Sequence, residues 1–496
     1  MSNRRRQLQD PQVTLIVVLR ERFSLTERSL SSIYENTQFP FHLVYVAGKA
    51  PSRVQRYLQQ ESSEKGFLLI TTEHHISPNQ ARNLGLKEVK TKYAVFIDND
   101  ALVTPGWLEA LVRCAEETGA WVVGPLCLIG EIGAGVVHVA GGNVHFTDES
   151  GGKVLYDEQN LFNTPIRELK ERLVRRRFDY VEFHCMLVRT EAFQSVGTLD
   201  EQLLSVHEHI DFCLAVNQAG GSVYVEPKSV VTYIPSPPYD WTDLPYFMLR
   251  WSEQWNIATT DRFCDKWGVT AMGWRGNNQS TPVSRDLLVK FGRGHRRIMT
   301  GVTYVADEEE GVSPVEQAEL MIALFQSIDR DCFELRVSAK NGEVLESLPN
   351  LGPDDLRRRL PELLREAEHK NLSVAIRPGD HGRQGGLSLL RLDDLDALAL
   401  DLVQRSAFMI LEIDQGIYQC WFAVDSRQMP NLANRMATDK LAATQDPFAP
   451  LAGSRRTATV ELPRVRIARG SAGLLMPPNQ LANQSIQLLL EKCMIQ

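Results

Sequence analysis

From Val13 to Ile97 the chain alternates short apolar runs with helical patterns, and few folds accept that rhythm. Val13-Thr14-Leu15-Ile16-Val17-Val18-Leu19 is a nearly continuous apolar run, as a strand buried on both faces requires. A helix is predicted from about Leu25 to Asn36, with Leu30 and Ile33 on one face. Phe41–Ala47 reads as a second strand, Val54–Ser62 as a helix and Phe67–Thr71 as a third strand. Pro78–Val89 then reads as a helix and Tyr93–Ile97 as a fourth strand. Such a series predicts an α/β fold with a mostly parallel sheet and helices on both faces. Ligands of such sheets bind beyond the carboxyl ends of the strands.

The fourth strand runs out at such an end. Tyr93-Ala94-Val95-Phe96-Ile97-Asp98-Asn99-Asp100 finishes in two carboxylates one residue apart. Residues i and i+2 of a strand share a face, so Asp98 and Asp100 can address one cation. Oxygen ligands without Cys or His suit Mg²⁺ or Mn²⁺, which commonly accompany a phosphate-bearing substrate. The competing reading is a solvated strand end followed by a helix cap. Thr104-Pro105-Gly106-Trp107 does predict an N-cap with Pro at the first helical position. That accounts for Thr104 and leaves both acids unexplained.

At 496 residues the chain has room for two or three domains. A net charge of −8 argues against a protein that coats nucleic acid, though a local basic patch could survive it. The eight cysteines form no CxxC pair, which gives neither a zinc pattern nor a disulfide framework and fits a reducing cytosol. Met1–Asp10 is basic and polar with no apolar core behind it, unlike a signal peptide. The longest apolar stretch, Trp121–Gly142, is broken by Pro125, Glu131, His138 and several glycines, so it predicts strand, loop and strand rather than a transmembrane segment. A cytoplasmic location is expected, with any membrane role peripheral.

From Val136 to about Arg177 the pattern loosens, and Gly141-Gly142, Asp148–Gly152 and Lys170–Arg177 predict loops and an exposed helix. Val181–Arg189 reads as a strand, followed by a Trp- and Phe-rich stretch from Tyr239 to Trp274. The chain turns polar between Gly273 and about Gly294, which predicts a linker. Beyond it, strands are predicted at Gly301–Ala306, Phe333–Ala339, Ser373–Ile376, Leu387–Leu392, Phe408–Ile413 and Gln419–Val424. Helices are predicted at Pro314–Ile328, Pro353–Lys370 and Asp394–Gln404, completing a second, α+β domain. The expected division is a polar tail (1–11), a first domain (12–272), a linker (273–295) and an accessory domain (296–496).

Three motifs in the first domain align in order and spacing. They are Ser77-Pro78-Asn79-Gln80-Ala81-Arg82-Asn83-Leu84-Gly85, the Asp98/Asp100 pair, and Ala192-Phe193-Gln194-Ser195-Val196-Gly197-Thr198-Leu199-Asp200-Glu201. With them, residues 12–270 resemble the family 2 glycosyltransferases of GT-A fold, whose Rossmann-like sheet is mostly parallel. The resemblance implies inverting transfer of a sugar from a nucleotide-diphosphate donor, with a UDP-sugar favoured, to an acceptor hydroxyl. The acceptor, whether saccharide, lipid-linked or protein, stays open. Asn79, Arg82, Asn83, Asp98 and Asp100 would bind donor, with Asp100 on the Mg²⁺ or Mn²⁺ and Asp98 nearer the ribose. The catalytic base would come from Val206-His207-Glu208-His209-Ile210-Asp211-Phe212, as Glu208 or Asp211. The competing reading of these two is as acids at a helix start.

The chain departs from the family at three places. His209 stands where the family's second acid would be. Val46-Ala47-Gly48-Lys49 ends the second strand where an Asp usually contacts the nucleotide base. Tyr233 stands where a metal-binding His often follows a later strand, and His207 or His209 could compensate. Trp241, Trp251, Trp255, Trp267 and Trp274 could stack on a sugar, although such a stripe more often serves the core. Arg175-Arg176-Arg177 reads as a solvated face.

The second domain carries Asn371–Pro378, Leu392-Asp393-Asp394-Leu395-Asp396, Ile413–Trp421 and Gly453-Ser454-Arg455-Arg456. In that order these resemble RepB-like plasmid-replication primases, and the resemblance puts the family's acids on Asp394 and Asp396. Asp393–Asp396 reads equally as an acid-rich helix start. A fold remnant recruited for binding is preferred to active priming, since fold does not imply function. Two other functions follow as alternatives: a nucleic-acid-binding or primase-like replication protein acting through 296–475, and a catalytically impaired GT-A scaffold used for binding.

Overall fold

The computed structural model describes residues 11–169, 172–276, 279–307, 311–339, 341–379, 387–425, 448–452, 454 and 465–475. The chain forms two compact units, Met1–Tyr239 with Gln254–Phe291 and Asp240–Glu253 with Gly292–Gln496.

The first unit opens with β1 (Val13–Val18), α1 (Thr26–Asn36), β2 (Phe41–Gly48), α2 (Ser52–Lys65), β3 (Leu68–Thr71), α3 (Pro78–Leu86) and β4 (Tyr93–Asp98). It continues through β5 (Ala101–Val103), α4 (Trp107–Thr118), β6 (Val122–Ile129), β7 (Val136–Val139), β8 (Gly142–Glu149), β9 (Gly152–Gln159) and β10 (Arg176–Phe178). Next come β11 (Cys185–Arg189), α5 (Ala192–Val196), α6 (Glu208–Gln218) and β12 (Val223–Tyr233). The main sheet runs in the order β10-β12-β6-β11-β4-β1-β2-β3. β3, β2, β1 and β4 are parallel neighbours, and β11 enters antiparallel between β4 and β6.

Every residue of β1 and β4 is buried, which is why their sequence lacks the alternation of a half-exposed strand. Ile16, Val18, Val46, Phe96 and Met186 feed the core on one face, with Ala81 of α3 and Ile210 of α6. Val17, Tyr45, Val95, Ile97 and Leu187 feed the other, with Leu30 of α1 and Trp107 of α4. The α/β architecture expected from the alternating pattern is thus present, with helices on both faces.

α3 begins at a capping box, where Ser77 Oγ accepts from the Gln80 N–H and Gln80 Oε1 accepts from the Ser77 N–H. Gly85 lets this helix approach the sheet, because a Cβ there would lie 2.4 Å from Ile16 Cγ2. α4 differs from expectation. Its N-cap is Gly106 in the left-handed region, and Thr104 Oγ1 instead donates to the Val230 carbonyl, tying the turn to β12.

The stretch after Val136 is more ordered than its composition predicts. β8 and β9 form a hairpin, and with β13 (Ala271–Gly276) and β14 (Gln279–Val283) they make a sheet in the order β14-β13-β9-β8. β13 and β14 lie in the polar segment expected as a linker. β10 occupies part of the span expected as an exposed helix, pairing with β12 because Phe178 is buried.

The aromatic stretch is shared between the units. α7 (Leu244–Arg250) belongs to the second, while α8 (Glu253–Trp267) lies almost entirely in the first. The next helix is α9 (Arg285–Arg296). In the second unit α7 packs on α10 (Pro314–Gln326), which also meets α11 (Pro353–Lys370). Two antiparallel sheets complete an α+β fold. One includes Met409–Asp414, Ile417–Asp425 and Arg466–Ser471, the other Phe333–Ser338, Val344–Leu351 and Ser373–Pro378. Among the described residues no helix is long and apolar enough to cross a membrane.

Candidate active site

β4 ends at Asp98, and Asn99 and Asp100 form a turn rather than a continued strand. Asn99 fixes that turn. Its N–H donates to the Val18 carbonyl at 2.8 Å, its Nδ2 to the Arg22 carbonyl at 2.6 Å, and its Oδ1 accepts from the Arg20 N–H at 3.2 Å. Both acids are fully buried. Their surroundings differ.

Asp98 is compensated. Arg82 Nη2 donates to its Oδ1 at 2.8 Å, and Arg20 Nη1 approaches its Oδ2 at 3.4 Å. Burial raises the carboxyl, but Arg82, with His184 and Arg20, holds it below the usual carboxylate range. Asp100 is offset only through space, by Arg20 and Arg22. Neither of its oxygens has a hydrogen-bond partner. Burial, with Asp98 and Glu21 beside it, pushes this carboxyl well above its usual range. A buried carboxylate without a partner is costly, and a bound cation removes the cost.

The third member of the cluster is His184, a residue the sequence reading passed over. Its Nδ1 lies 3.3 Å from Asp98 Oδ2, and Asp98, Asp100 and His184 present ligand atoms all within 4.8 Å of one another. Burial, with Arg20 nearby, lowers the His184 pKa and favours the neutral imidazole that binds metals. The ring stacks on Tyr233 at 4.0 Å, and Tyr233 donates its hydroxyl to Glu21 Oε2 at 3.0 Å. The expected substitutes lie elsewhere: His207 sits 5.4 Å from the Phe263 ring, and His209 Nε2 is 3.4 Å from Glu182 Oε1. The set is therefore two carboxylates and an imidazole rather than the all-oxygen set expected, and a transition-metal cation such as Mn²⁺ takes it more readily than Mg²⁺.

The other residues expected at the donor are held by the chain itself. Asn83 Nδ2 donates to the Leu199 carbonyl at 2.8 Å and to Glu201 Oε1 at 2.9 Å, while its Oδ1 accepts from the Leu199 N–H at 3.0 Å. Asn79 Nδ2 donates to the Asp200 carbonyl at 2.9 Å, and its Oδ1 accepts from Arg82 Nη1 at 3.2 Å. The motif around Asn79–Gly85 is thus stitched to the motif around Leu199–Glu201. Arg82 bridges that seam to Asp98, with its guanidinium 4.0 Å over the Phe183 ring.

The structure separates the two candidate bases. Glu208 is buried at the start of α6, its Oε1 3.8 Å from Arg82 Nη1. Asp211 faces α8, accepting from Lys266 Nζ at 2.8 Å and Trp267 Nε1 at 2.9 Å. Ala47 is buried at the end of β2. Trp251 and Trp255 are buried, whereas Trp274 is 45% exposed. Arg175 is not simply solvated, because it pairs with Glu226 and Glu117 at 2.6 Å each.

In the second unit Asp396 caps α12 (Ala397–Val403), accepting from the Ala399 N–H at 2.8 Å, as the helix-start reading requires. Asp394 lines a cavity of about 330 Å³ with Asp393, Arg391, Gln419 and Phe448. Asp393 accepts from Arg391 Nε at 3.0 Å and from Gln419 Nε2. Arg455 and Arg456 lie outside the described residues.

Residues 14–197 match the family model described as Glycosyl transferase family 2. A curated relative, the O-antigen biosynthesis protein RfbC of Myxococcus xanthus, is 24% identical over 212 residues, covering 42% of this chain and 16% of that one. Across the first curated relatives the chain spans 16–30% of their length. Two solved structures are also similar. GalNAc-T7 with UDP, GalNAc and Mn²⁺ is 16% identical, with TM-score 0.37 and coverage of 58% of this chain and 55% of that one. Primase RepB′ is 20% identical, with TM-score 0.26 and coverage of 36% and 62%. The family 2 glycosyltransferase resemblance carried by the motifs of the first domain is thereby confirmed over residues 14–197.

Proposed function

We propose that the domain expected at residues 12–272 is an inverting glycosyltransferase. It would take a nucleotide-diphosphate sugar, a UDP-sugar first, and a divalent Mg²⁺ or Mn²⁺. One observation carries the reading: Asp100 is a fully buried carboxylate without a hydrogen-bond partner, facing Asp98 and the neutral His184 at the carboxyl end of a parallel sheet. Asp100, His184 and Asp98 would hold the cation, which when bound supplies charge to the departing diphosphate. Arg82 orients Asp98 and keeps it ionised. Asn79 and Asn83 fix the loop at Leu199–Glu201 that leads to α6. Lys266 and Trp267 engage Asp211, which disfavours it among the two expected bases, Glu208 and Asp211. Work in a reducing cytoplasm fits the free cysteines found among the described residues.

The test is a calorimetric donor screen on the full chain with and without Mn²⁺, followed by turnover. Metal-dependent binding of a nucleotide sugar is expected, and no binding across the panel sinks the reading. A second reading, an impaired scaffold that binds without transfer, is favoured by Ala47, which offers no side-chain acceptor to a base. Wild-type turnover excludes it. A nucleic-acid role for 296–475 predicts salt-sensitive DNA binding lost on changing Asp394 or Arg455.

A further inference from the structure

The first turn of α6 offers two groups to a reacting hydroxyl, and they are not equivalent. Glu208 points inward, with its side chain 3% exposed and its Oε1 turned to Arg82. His209, the next residue, turns to the segment ahead of β11. Its Nε2 lies 3.4 Å from Glu182 Oε1, and the two side chains are 16% and 10% exposed. An imidazole beside a carboxylate, largely buried with a small opening to solvent, is an arrangement that suits a proton acceptor.

The pair is tied to the cation site from both sides. Glu182 stands two residues before His184, whose Nδ1 is 3.3 Å from Asp98. His209 follows Glu208, whose Oε1 is 3.8 Å from Arg82, which binds Asp98. A third contact frames it. The Tyr180 ring lies 5.4 Å from the His209 ring, and Tyr180 donates its hydroxyl to Asp157 of the β8–β9 hairpin. Tyr180 thus links the imidazole to that hairpin.

Resting on the sugar-transfer reading above, we propose that His209, oriented by Glu182, is the group that takes the acceptor hydroxyl's proton. Nε2–H faces Glu182, which leaves Nδ1 to accept. As the acceptor oxygen forms its bond to the anomeric carbon, the hydroxyl proton moves to Nδ1. The bond from the anomeric carbon to the diphosphate oxygen breaks, and its electron pair leaves on the diphosphate. Glu182 balances the imidazolium until its proton passes to water. Glu208 then has a separate task, holding Arg82 against Asp98.

The test is donor hydrolysis by the full chain with Mn²⁺, water serving as acceptor, together with calorimetric donor binding. His209→Ala should lower kcat about 10²- to 10⁴-fold with donor affinity unchanged. Added imidazole should restore part of the rate, a rescue that a structural role would not show. His209→Gln, which keeps the bulk, should be slow as well, and Glu182→Gln should lose less than His209→Ala. The proposal is overturned if His209→Ala stays within about threefold of wild type, since a base contributes far more. It is overturned equally if imidazole rescues nothing in a variant that still binds donor. Wild type that neither binds nor hydrolyses any donor sinks the transferase reading, and the proposal with it. Intact binding and turnover in the variants sinks the proposal alone.

Discussion

Two acid clusters end strands in this protein, one in each unit, and their sequences look alike. Asp98-Asn99-Asp100 closes the apolar β4, and Asp393-Asp394-Leu395-Asp396 closes the strand Leu387–Leu395. Their surroundings are opposite. In the second unit Asp393 is ion-paired with Arg391, and Asp396 is exposed and spent on a helix cap. In the first unit Asp98 is paired, but Asp100 is buried beside an imidazole with both oxygens unpaired. A strand-end acid pair therefore does not mark a cation site by itself. A buried carboxyl whose oxygens lack hydrogen-bond partners points to one, because burial favours its protonated form unless a cation offsets the charge.

That contrast is broken most directly at Asp100. Asp100→Ala should abolish Mn²⁺-dependent turnover, a loss on the order of a thousand-fold or more, equivalent to several kcal/mol of charge stabilisation. Because the wild-type carboxyl is unpaired, the variant should keep or raise its melting temperature without metal. A variant that melts lower and binds Mn²⁺ as before would remove the distinction between the two clusters.

Arg82 tests the compensated half. Removing it leaves Asp98 buried without its main partner, and breaking a buried pair costs about 3–5 kcal/mol. Arg82→Ala should therefore lose stability in urea, and Asp98→Asn in the same background should recover part of it. A double-mutant cycle showing no coupling would contradict the contact.

The sequence exposes the parts of this site set by local pattern and hides those set by distant pairing. β1 and β4 are legible because strands buried on both faces are apolar throughout. Asp98 and Asp100 are legible because they follow such a strand. His184 is not, because its place beside Asp98 comes from the antiparallel register that sets Cys185 opposite Ile97. In the sequence it is a lone histidine inside the apolar run Val181–Arg189, and the structure starts the strand only at Cys185. The hairpin β8–β9 is missed for another reason. Its outer half is exposed and polar, so it reads as loop although its ladder is regular. Glu208 and Asp211 look interchangeable at a spacing of three, and only α8 separates them by bringing Lys266 and Trp267 to Asp211.

That separation gives a smaller effect. Asp211→Asn keeps the shape and weakens two charge-assisted contacts, each worth about 1.5–3 kcal/mol at most. Stability should fall by about 1–2 kcal/mol in chemical denaturation, within the usual range for such losses. Donor hydrolysis per folded molecule should change by less than about fivefold, far below the loss expected of a proton acceptor. A loss of several hundred-fold would restore Asp211 as base.

The smallest effect should come from Asp396, where the second cluster is most clearly structural. Its carboxylate accepts the Ala399 N–H at the start of α12 and is exposed on the other side. Asp396→Ala removes a cap and should cost about 1 kcal/mol, while Asp396→Ser, which can still cap, should cost less. Neither should alter donor hydrolysis. The serine variant is the sharper of the two, because it removes the charge and keeps the cap. If it lost metal or nucleic-acid binding while staying folded, Asp396 would be a ligand, and the two clusters would be alike after all.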